Sequence, residues 1–318
     1  MEADRPVVLI TGADGFVGRS MTKALTEAGW HVRRAIRSMP PPGDDSDTVG
    51  GLELSSSTRW TEALKGVQAV IHLAALAHRS TRAQQSDEAS FMSVNVDGTA
   101  HLARCAIDAG VCEFIFLSSI AVNGRDTEEE APFNESSIPA PTTIYGQSKI
   151  VAEQRLENLA ASSTMRVTSI RPPMIYGPGA RGNFHRLSSA VKAGIPLPFG
   201  SVRNRRAFLG VDNLSSFVIH RLNEVSKPSF EVFLLADDEH VSTAEFVRLL
   251  GLAWGKPARI ISIPIPLLRA GLDLFGSSSP LLGSLEIDTA KAHQTGWQPR
   301  FSLAEGLRQA AQQSRLNG

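Results

Sequence analysis

The chain has 318 residues, of which 42% are hydrophobic and 20% charged, enough to bury a sizeable core and too apolar for an intrinsically disordered sequence. Lys plus Arg and Asp plus Glu number 32 each, and zero formal charge argues against a nucleic-acid partner, so any anion site is local. No run of ~20 apolar residues offers a membrane span, so no membrane partner is expected. The N-terminus lacks the apolar core of a signal peptide. The two cysteines, Cys105 and Cys112, are spaced neither as a CxxC pair nor as a zinc knuckle, and read as small buried side chains of a reducing compartment. Cytoplasmic residence is therefore expected.

Residues 7–10 form a short β-branched run and are predicted as the first strand, followed by a helix over 17–28. Between them lie Gly12, Gly15 and Gly18, spaced GxxGxxG. Glycines at a strand-to-helix turn permit a tight bend, close backbone approach to a pyrophosphate, and close helix packing. The helix start offers unpaired N–H groups to an anion. The spacing departs from the usual GxGxxG, but its place after the first strand of a βα series gives it weight. Residues 31–36 are the second strand. It ends without the carboxylate that holds a ribose 2′-hydroxyl. Arg37, with Arg34, stands there instead, either accepting a 2′-phosphate or facing solvent at a sheet edge. The cofactor is therefore expected to be NAD or NADP, with the choice open.

Residues 40–47 are a loop by composition. Residues 69–73 are predicted strand, 94–108 helix, 114–117 strand, 145–159 helix and 167–170 strand. Strands alternating with helices imply right-handed βαβ units and a doubly wound parallel sheet of Rossmann-like α/β type. Domain boundaries are placed at 1–171 for a dinucleotide-binding domain, with 207–236 returning to it, and 172–318 for a smaller substrate-binding part, because prolines interrupt the rhythm after Arg171. Within the last part, 207–222 and 231–235 are the segments expected back at the main sheet. The Pro-rich stretch 126–143 runs straight into Tyr145 and is placed to wall an active site.

The chemistry centres on Ser118-Ser119 and on Tyr145 and Lys149. A Tyr and a Lys four residues apart share one helix face. A free tyrosine with a pKa of about 10 is a poor base, and a neighbouring ammonium is expected to lower it. Such a pair moves a proton at a sugar or alcohol oxygen. Ser119, beyond the carboxyl end of a strand, is placed to hydrogen-bond the same oxygen. Either motif alone is weak, since Ser-Ser also makes turns and caps; together and in this order they carry weight. His72 reads as a satisfied core residue. His78 and His185 fall near presumed substrate loops without metal-ligand spacing, and no metal is expected.

At this point the sequence resembles the extended short-chain dehydrogenase/reductase family, and within it the nucleotide-sugar epimerase/dehydratase group. The matching pieces are TGADGFVG at 11–18, HLAA at 72–75, VNVDGT at 94–99, FLSSIAVNG at 116–124, YGQSK at 145–149, RPPMIYGPG at 171–179 and RAFLGVDNL at 206–214. The resemblance implies that Tyr145 transfers the proton, that Lys149 binds the nicotinamide ribose, and that Ser119 orients the substrate oxygen. It implies that Gly12, Gly15, Phe16, Val17 and Gly18 form the cofactor loop, that Leu73, Ala74 and Ala75 line the cofactor, and that Pro172 passes the nicotinamide. Asn95 matches a residue that braces the site. Asn183 and Arg206 match residues that contact the sugar diphosphate, which suits a guanidinium fork.

The dehydratases of that group carry Thr-Asp-Glu where this chain has Ser119-Ile120-Ala121. Elimination needs that extra acid and base, so the resemblance points away from dehydration. It points to chemistry at C4 of a UDP-hexose: reduction of a 4-keto-6-deoxy-N-acetylhexosamine for surface polysaccharide, or 4-epimerisation. Asn123 stands where epimerases of the group have Tyr. The helices over 94–108 and 145–159 resemble those that pair in homodimers of the family. A non-catalytic NAD(P)-binding sensor is the alternative of another class, opposed by the retention of Tyr145, Lys149 and Ser119 together.

Overall fold

The computed structural model describes residues 5–40, 43, 46–77, 88–128, 130–225, 228–274 and 281–316. The chain divides into two units, one of Met1–Gly124, Ile138–Arg171 and Ser215–Phe233, the other of Arg125–Ser137, Pro172–Leu214 and Leu234–Gly318. Residues 125–137, placed in the first domain from sequence, thus belong to the second unit. They are held there by backbone bonds such as Thr127 N–H to Ser284 O at 2.8 Å and Phe133 N–H to Glu286 O at 2.9 Å.

The first unit is built on a seven-stranded sheet. Its strands are β1 (Val7–Thr11), β2 (His31–Ala35), β3 (Thr48–Val49), β4 (Val67–His72), β5 (Glu113–Leu117), β6 (Arg166–Arg171) and β9 (Phe230–Leu234), in the order β3-β2-β1-β4-β5-β6-β9. β1 pairs in parallel with both β2 and β4, β2 with β3, β4 with β5, and β5 with β6. Val8, Leu9 and Ile10 of β1, and Phe114 and Phe116 of β5, are fully buried, as expected for strands covered on both faces. Trp60, Leu64, Leu102, Phe114 and Leu156 share one apolar cluster against the sheet. The fold is therefore the doubly wound Rossmann-like α/β fold that the βα rhythm implied. Strand order reverses between β1 and β4, where ligands of such sheets bind beyond the carboxyl ends.

The predicted helix over 94–108 differs in its first half. Glu88–Phe91 is α-helix, Met92–Gly98 is π-helix, and only Thr99–Asp108 is regular. Such wide turns are rare and concentrate at functional sites.

In the second unit β7 (Met174–Tyr176) pairs in parallel with β8 (Phe208–Gly210) as a separate two-stranded sheet. This corrects the expectation for 207–214 alone: β8 joins β7, whereas Ser215–Phe233, with most of the helix Val211–Asn223, belongs to the first unit as expected, and β9 regains the main sheet. An aromatic core explains the pairing. Phe208 stacks on Phe246 at 4.0 Å between centroids, and Tyr176 meets Phe184 and Phe246 at 6.1 and 6.3 Å. The Tyr176 hydroxyl donates to Asp237 Oδ2 at 2.7 Å, and Asp237 also accepts from Gly210 N–H and Asn213 Nδ2. A Cβ on Gly306 would stand 2.4 Å from that hydroxyl. Gly306→Ala is therefore expected to destabilise the fold by about 1–3 kcal/mol through overpacking, read as a lower denaturant midpoint at unchanged slope. An unchanged midpoint contradicts the packing described.

Candidate active site

Three loops at the carboxyl end of the main sheet bring the predicted residues of the first unit together. The loop after β1 opens with Gly12 at φ +69, a conformation that favours glycine. A Cβ there would meet Ala74 N at 3.0 Å, so the loop after β4 lies directly against it. Gly15 caps the helix Phe16–Glu27 in extended backbone, with no side-chain cap and no acidic residue in the first turn. The first N–H groups of that helix are thus left to an anion. Gly18 packs so closely that a Cβ would fall 2.2 Å from Gly12 O. The spacing is not GxGxxG, yet the three glycines form the turn, the approach and the packing contact that a pyrophosphate cradle requires. The residues present therefore fit a dinucleotide.

A buried polar chain locks the two loops. Thr11 Oγ1 meets His72 Nδ1 at 2.7 Å and accepts from Ala74 N–H at 3.3 Å, while His72 Nε2 meets Thr99 Oγ1 at 2.9 Å. His72 is stacked on Phe116. Burial, with the Lys149 charge, pushes its pKa down to about 3, so it is a neutral hydrogen-bonding spacer. His72 is the satisfied core residue expected, and it also holds the Gly12 turn against Leu73, Ala74 and Ala75, all half-buried. Asn95, on the π-turn, accepts from Leu76 N–H at 2.8 Å and donates to Leu76 O at 3.1 Å and Ser148 Oγ at 3.0 Å. It ties the end of that loop to the helix of Tyr145.

Ser119 caps the 3₁₀ turn Ile120–Val122, its Oγ accepting from Ala121 N–H at 3.2 Å. Tyr145 and Lys149 lie on the helix Ile144–Ala161, capped by Thr143, whose Oγ1 accepts from Gly146 N–H at 3.1 Å. Ser119 shares a hydrogen bond with the Tyr145 phenol. Lys149 Nζ donates to Leu117 O at 2.7 Å and stands 4.4 Å from the Phe116 ring centroid and 5.9 Å from that of Tyr145. Ser119, Tyr145 and Lys149 thus form one cluster.

The electrostatics correct one expectation. Burial pushes the Tyr145 phenol up to about 12, only partly opposed by the Ser119 hydrogen bond. Lys149 does not depress it here. Its ammonium is turned to a backbone carbonyl and is itself desolvated, which brings its pKa down to about 7 against the upward pull of Glu153. The i,i+4 spacing reports proximity, whereas desolvation sets the direction of each shift.

The remaining predicted residues lie elsewhere. Arg37 is exposed after β2 and makes no bond among the described residues, while Arg34 donates to Ser46 Oγ and Thr48 Oγ1 at the neighbouring edge. Pro172 opens the second unit directly after β6. Asn183 and Arg206 belong to the second unit: Asn183 begins the helix Asn183–Ala193, and Arg206 is buried, donating to Gly283 O at 2.6 Å with Asp126 at 3.9 Å. Burial lowers the Arg206 pKa to about 10, so it stays a cation. Arg205 is paired with Glu286, Arg203 and His185 are exposed, and His78 lies outside the described residues. Sequence reading singled out Asn123 only as standing where epimerases have Tyr, and Arg171 only as the start of RPPMIYGPG; it missed Glu153 and the buried array that the three form beneath Lys149.

Comparisons with known proteins identify the family of the chain. The pattern described as NAD dependent epimerase/dehydratase family matches residues 8–236. A UDP-glucose 4-epimerase of Vibrio cholerae is 39% identical over 311 residues, covering 96% of this chain and 94% of that protein. An N-acetyl-alpha-D-glucosaminyl-diphospho-ditrans,octacis-undecaprenol 4-epimerase of Escherichia coli O157:H7 is 26% identical, covering 94% of this chain and 92% of the relative. The solved structure of MoeE5 in complex with UDP-glucuronic acid and NAD superposes with a TM-score of 0.78 at 26% identity, covering 98% and 99% of the two chains. With a glycine cradle after β1, the Ser119–Tyr145–Lys149 cluster and a family match over most of its length, the chain belongs to the NAD-dependent epimerase/dehydratase family.

Proposed function

We propose that the chain is an NAD(P)-dependent oxidoreductase acting at C4 of a UDP-hexose, and that it reduces the 4-ketone of a UDP-6-deoxy-N-acetylhexosamine destined for surface polysaccharide. The observation that carries the reading is the seating of Ser119 against the Tyr145 phenol, the group that gives a proton to a ketone oxygen. Reduction is favoured over epimerisation because Asn123 stands where epimerases of the group carry Tyr. Reduction needs one proton and one hydride, and the nicotinamide supplies the hydride when bound. Ser119 and Tyr145 orient the ketone oxygen, and Tyr145 delivers the proton as the alcohol forms. Lys149, where protonated, holds the ribose and stabilises the phenolate left behind. Ile120 and Ala121 offer no acid or base for elimination, which opposes dehydration. Arg206 and Asn183 are assigned to the sugar diphosphate. The reading includes a homodimer through the helices over 94–108 and 145–159; a monomeric mass by light scattering contradicts that part.

A second reading, 4-epimerisation, is favoured by the name of the Vibrio cholerae relative. It begins with oxidation at C4, which needs the phenolate, and then requires the ketone to turn over. Incubation with UDP-glucose, UDP-GlcNAc and a UDP-4-keto-6-deoxy sugar, with and without NADPH or NADH, separates the two. Oxidation of the reduced cofactor with the keto sugar alone supports reduction. Interconversion of C4 epimers without added cofactor overturns it.

The Lys149 ammonium also predicts a pH profile. Lys149 loses its proton as pH rises through about 7, so kcat/KM, which reports the free enzyme, is expected to fall above that pH. Lys149→Arg keeps a permanent charge and is expected to flatten this limb. Initial rates between about pH 6 and 9 check it; an identical limb in both proteins contradicts the assignment to Lys149.

A further inference from the structure

The structure assigns a role to three buried residues that touch neither the reacting oxygen nor the cofactor loop: we infer that Glu153, Arg171 and Asn123 are positioning residues that clamp the turn carrying Ser119 to the helix carrying Tyr145 and Lys149. The inference rests on the reading of Ser119, Tyr145 and Lys149 as the reacting set.

Glu153 follows Lys149 by one helical turn and faces the same side. It is 2% exposed, and Arg171, at the carboxyl end of β6, is 4% exposed. Arg171 Nε reaches Glu153 Oε1 at 3.0 Å and Oε2 at 3.2 Å, and its Nη2 reaches Oε2 at 2.5 Å. Ser169 Oγ donates to Glu153 Oε1 at 2.8 Å. The guanidinium has one arm left, and Nη1 donates to Asn123 Oδ1 at 3.1 Å. Asn123 is 1% exposed and closes the 3₁₀ turn that Ser119 opens. One continuous buried array therefore runs from the Lys149 helix through β6 to the Ser119 turn.

A second contact makes the connection rigid. A Cβ on Gly146, the residue after Tyr145, would fall 2.5 Å from Ala121 O. The turn is thus seated on the helix at Gly146 and tied one strand away by Asn123. Two points fix both the distance and the rotation of Ser119 relative to Tyr145. Burying an ion pair is a costly way to gain stability, and a hydrophobic set would fill this space as well. A fixed orientation of Ser119 and Lys149 is what the directed bonds supply. Asn123 occupies the position where epimerases of the group carry Tyr, and here its amide oxygen, aimed inward at Arg171, is what completes the clamp.

The array also places a negative charge under Lys149. Among the described residues, the charged or titratable groups facing Lys149 are Glu153 and Tyr145 on its own helix and neutral His72 on β4, with Arg171 on β6 already bound by Glu153. Glu153 is the group among them that favours the ammonium.

The test uses Glu153→Gln, Glu153→Gln/Arg171→Met, Asn123→Leu and Asn123→Asp in the full chain, with Tyr145→Phe as reference. A displacement of the reacting groups by about 1 Å costs up to about 100-fold in rate. Asn123→Leu is expected to lower kcat about 10- to 100-fold with NADPH affinity unchanged, and Asn123→Asp, which keeps the acceptor, to recover most of it. In both Glu153 variants the alkaline limb of kcat/KM moves to lower pH. A merely structural role would lower the melting temperature without moving that limb or separating Leu from Asp at 123. The inference is overturned if Asn123→Leu and Asn123→Asp have equal kcat, or if a folded Glu153 variant keeps the wild-type limb. Should the Glu153 variants not fold, the Asn123 pair decides alone. If Tyr145→Phe retains activity, the reading of the reacting set has failed; if it is inert while the other variants are normal, the clamp alone has failed.

Discussion

Tyr145→Phe is expected to lower kcat by about 10²- to 10⁴-fold, the range that a positioned proton donor contributes, while NADPH binding and the thermal midpoint stay close to wild type. The substitution removes one oxygen and keeps the ring. The lost hydroxyl is hydrogen-bonded to Ser119 and buried enough to be held at a pKa of about 12. The helix that carries it is stabilised elsewhere, by the Thr143 cap and by Ser148, Ala152, Leu156 and Ala160, all buried. Fold and chemistry are thereby separable at this residue. Single-turnover rates and a cofactor titration on the same preparation check the prediction. A variant within threefold of wild-type kcat sinks the assignment, and a variant that no longer binds cofactor shows that the phenol serves the cradle instead.

Gly18→Ala is expected to have the other large effect, at the opposite end of the site. The added Cβ would lie 2.2 Å from Gly12 O, 2.6 Å from Ala13 Cα and 2.8 Å from Ala13 C. All three are backbone atoms, so no side chain can swing away. The helix Phe16–Glu27 must move off the Gly12 turn, and its N–H groups move with it. Overpacking of this kind costs about 1–3 kcal/mol, and each 1.4 kcal/mol lost from binding is about tenfold in affinity. NADPH or NADH affinity is expected to fall at least about tenfold, with a lower thermal midpoint. Gly15→Ala is the control. Its backbone is extended at φ −73, and its Cβ would have one neighbour, Gly12 O, at 3.1 Å, so a milder loss is expected. Equal affinities for the two variants contradict the cradle as described.

The parts of the fold that were legible in the sequence are those in which local pattern and tertiary environment agree. Val8, Leu9 and Ile10, and Phe114, Ile115 and Phe116, read as strands because both faces are buried. The helix from Ile144 was visible through its spacing of Tyr145 and Lys149. β8 was misplaced because three residues carry no record of their partner: Phe208 pairs across to Met174 through aromatic packing with Phe246, a tertiary choice. The π-turn at Met92–Gly98 escaped because widening a helix by one residue leaves the apolar pattern almost unchanged. The candidate site was legible as a set of residue types. Its electrostatics were not, because spacing shows that Lys149 is near Tyr145 and says nothing of the desolvation that sets the direction for each group. The pairing of Glu153 with Arg171 was invisible for a related reason: they are distant in sequence and meet only once β6 lies beside the helix.

The central claim is that a hydride reaches C4 of a UDP-linked sugar while Tyr145 supplies the proton. It is tested most directly by running the reaction with a UDP-4-keto-6-deoxy-N-acetylhexosamine and reduced cofactor deuterated at the nicotinamide C4 hydride position, and reading the product by NMR and mass spectrometry. The account predicts one deuterium at sugar C4 for each oxidised cofactor formed, and no such product from Tyr145→Phe at the wild-type rate. A UDP-hexose whose C4 configuration inverts with no deuterium gained and no cofactor consumed would contradict it.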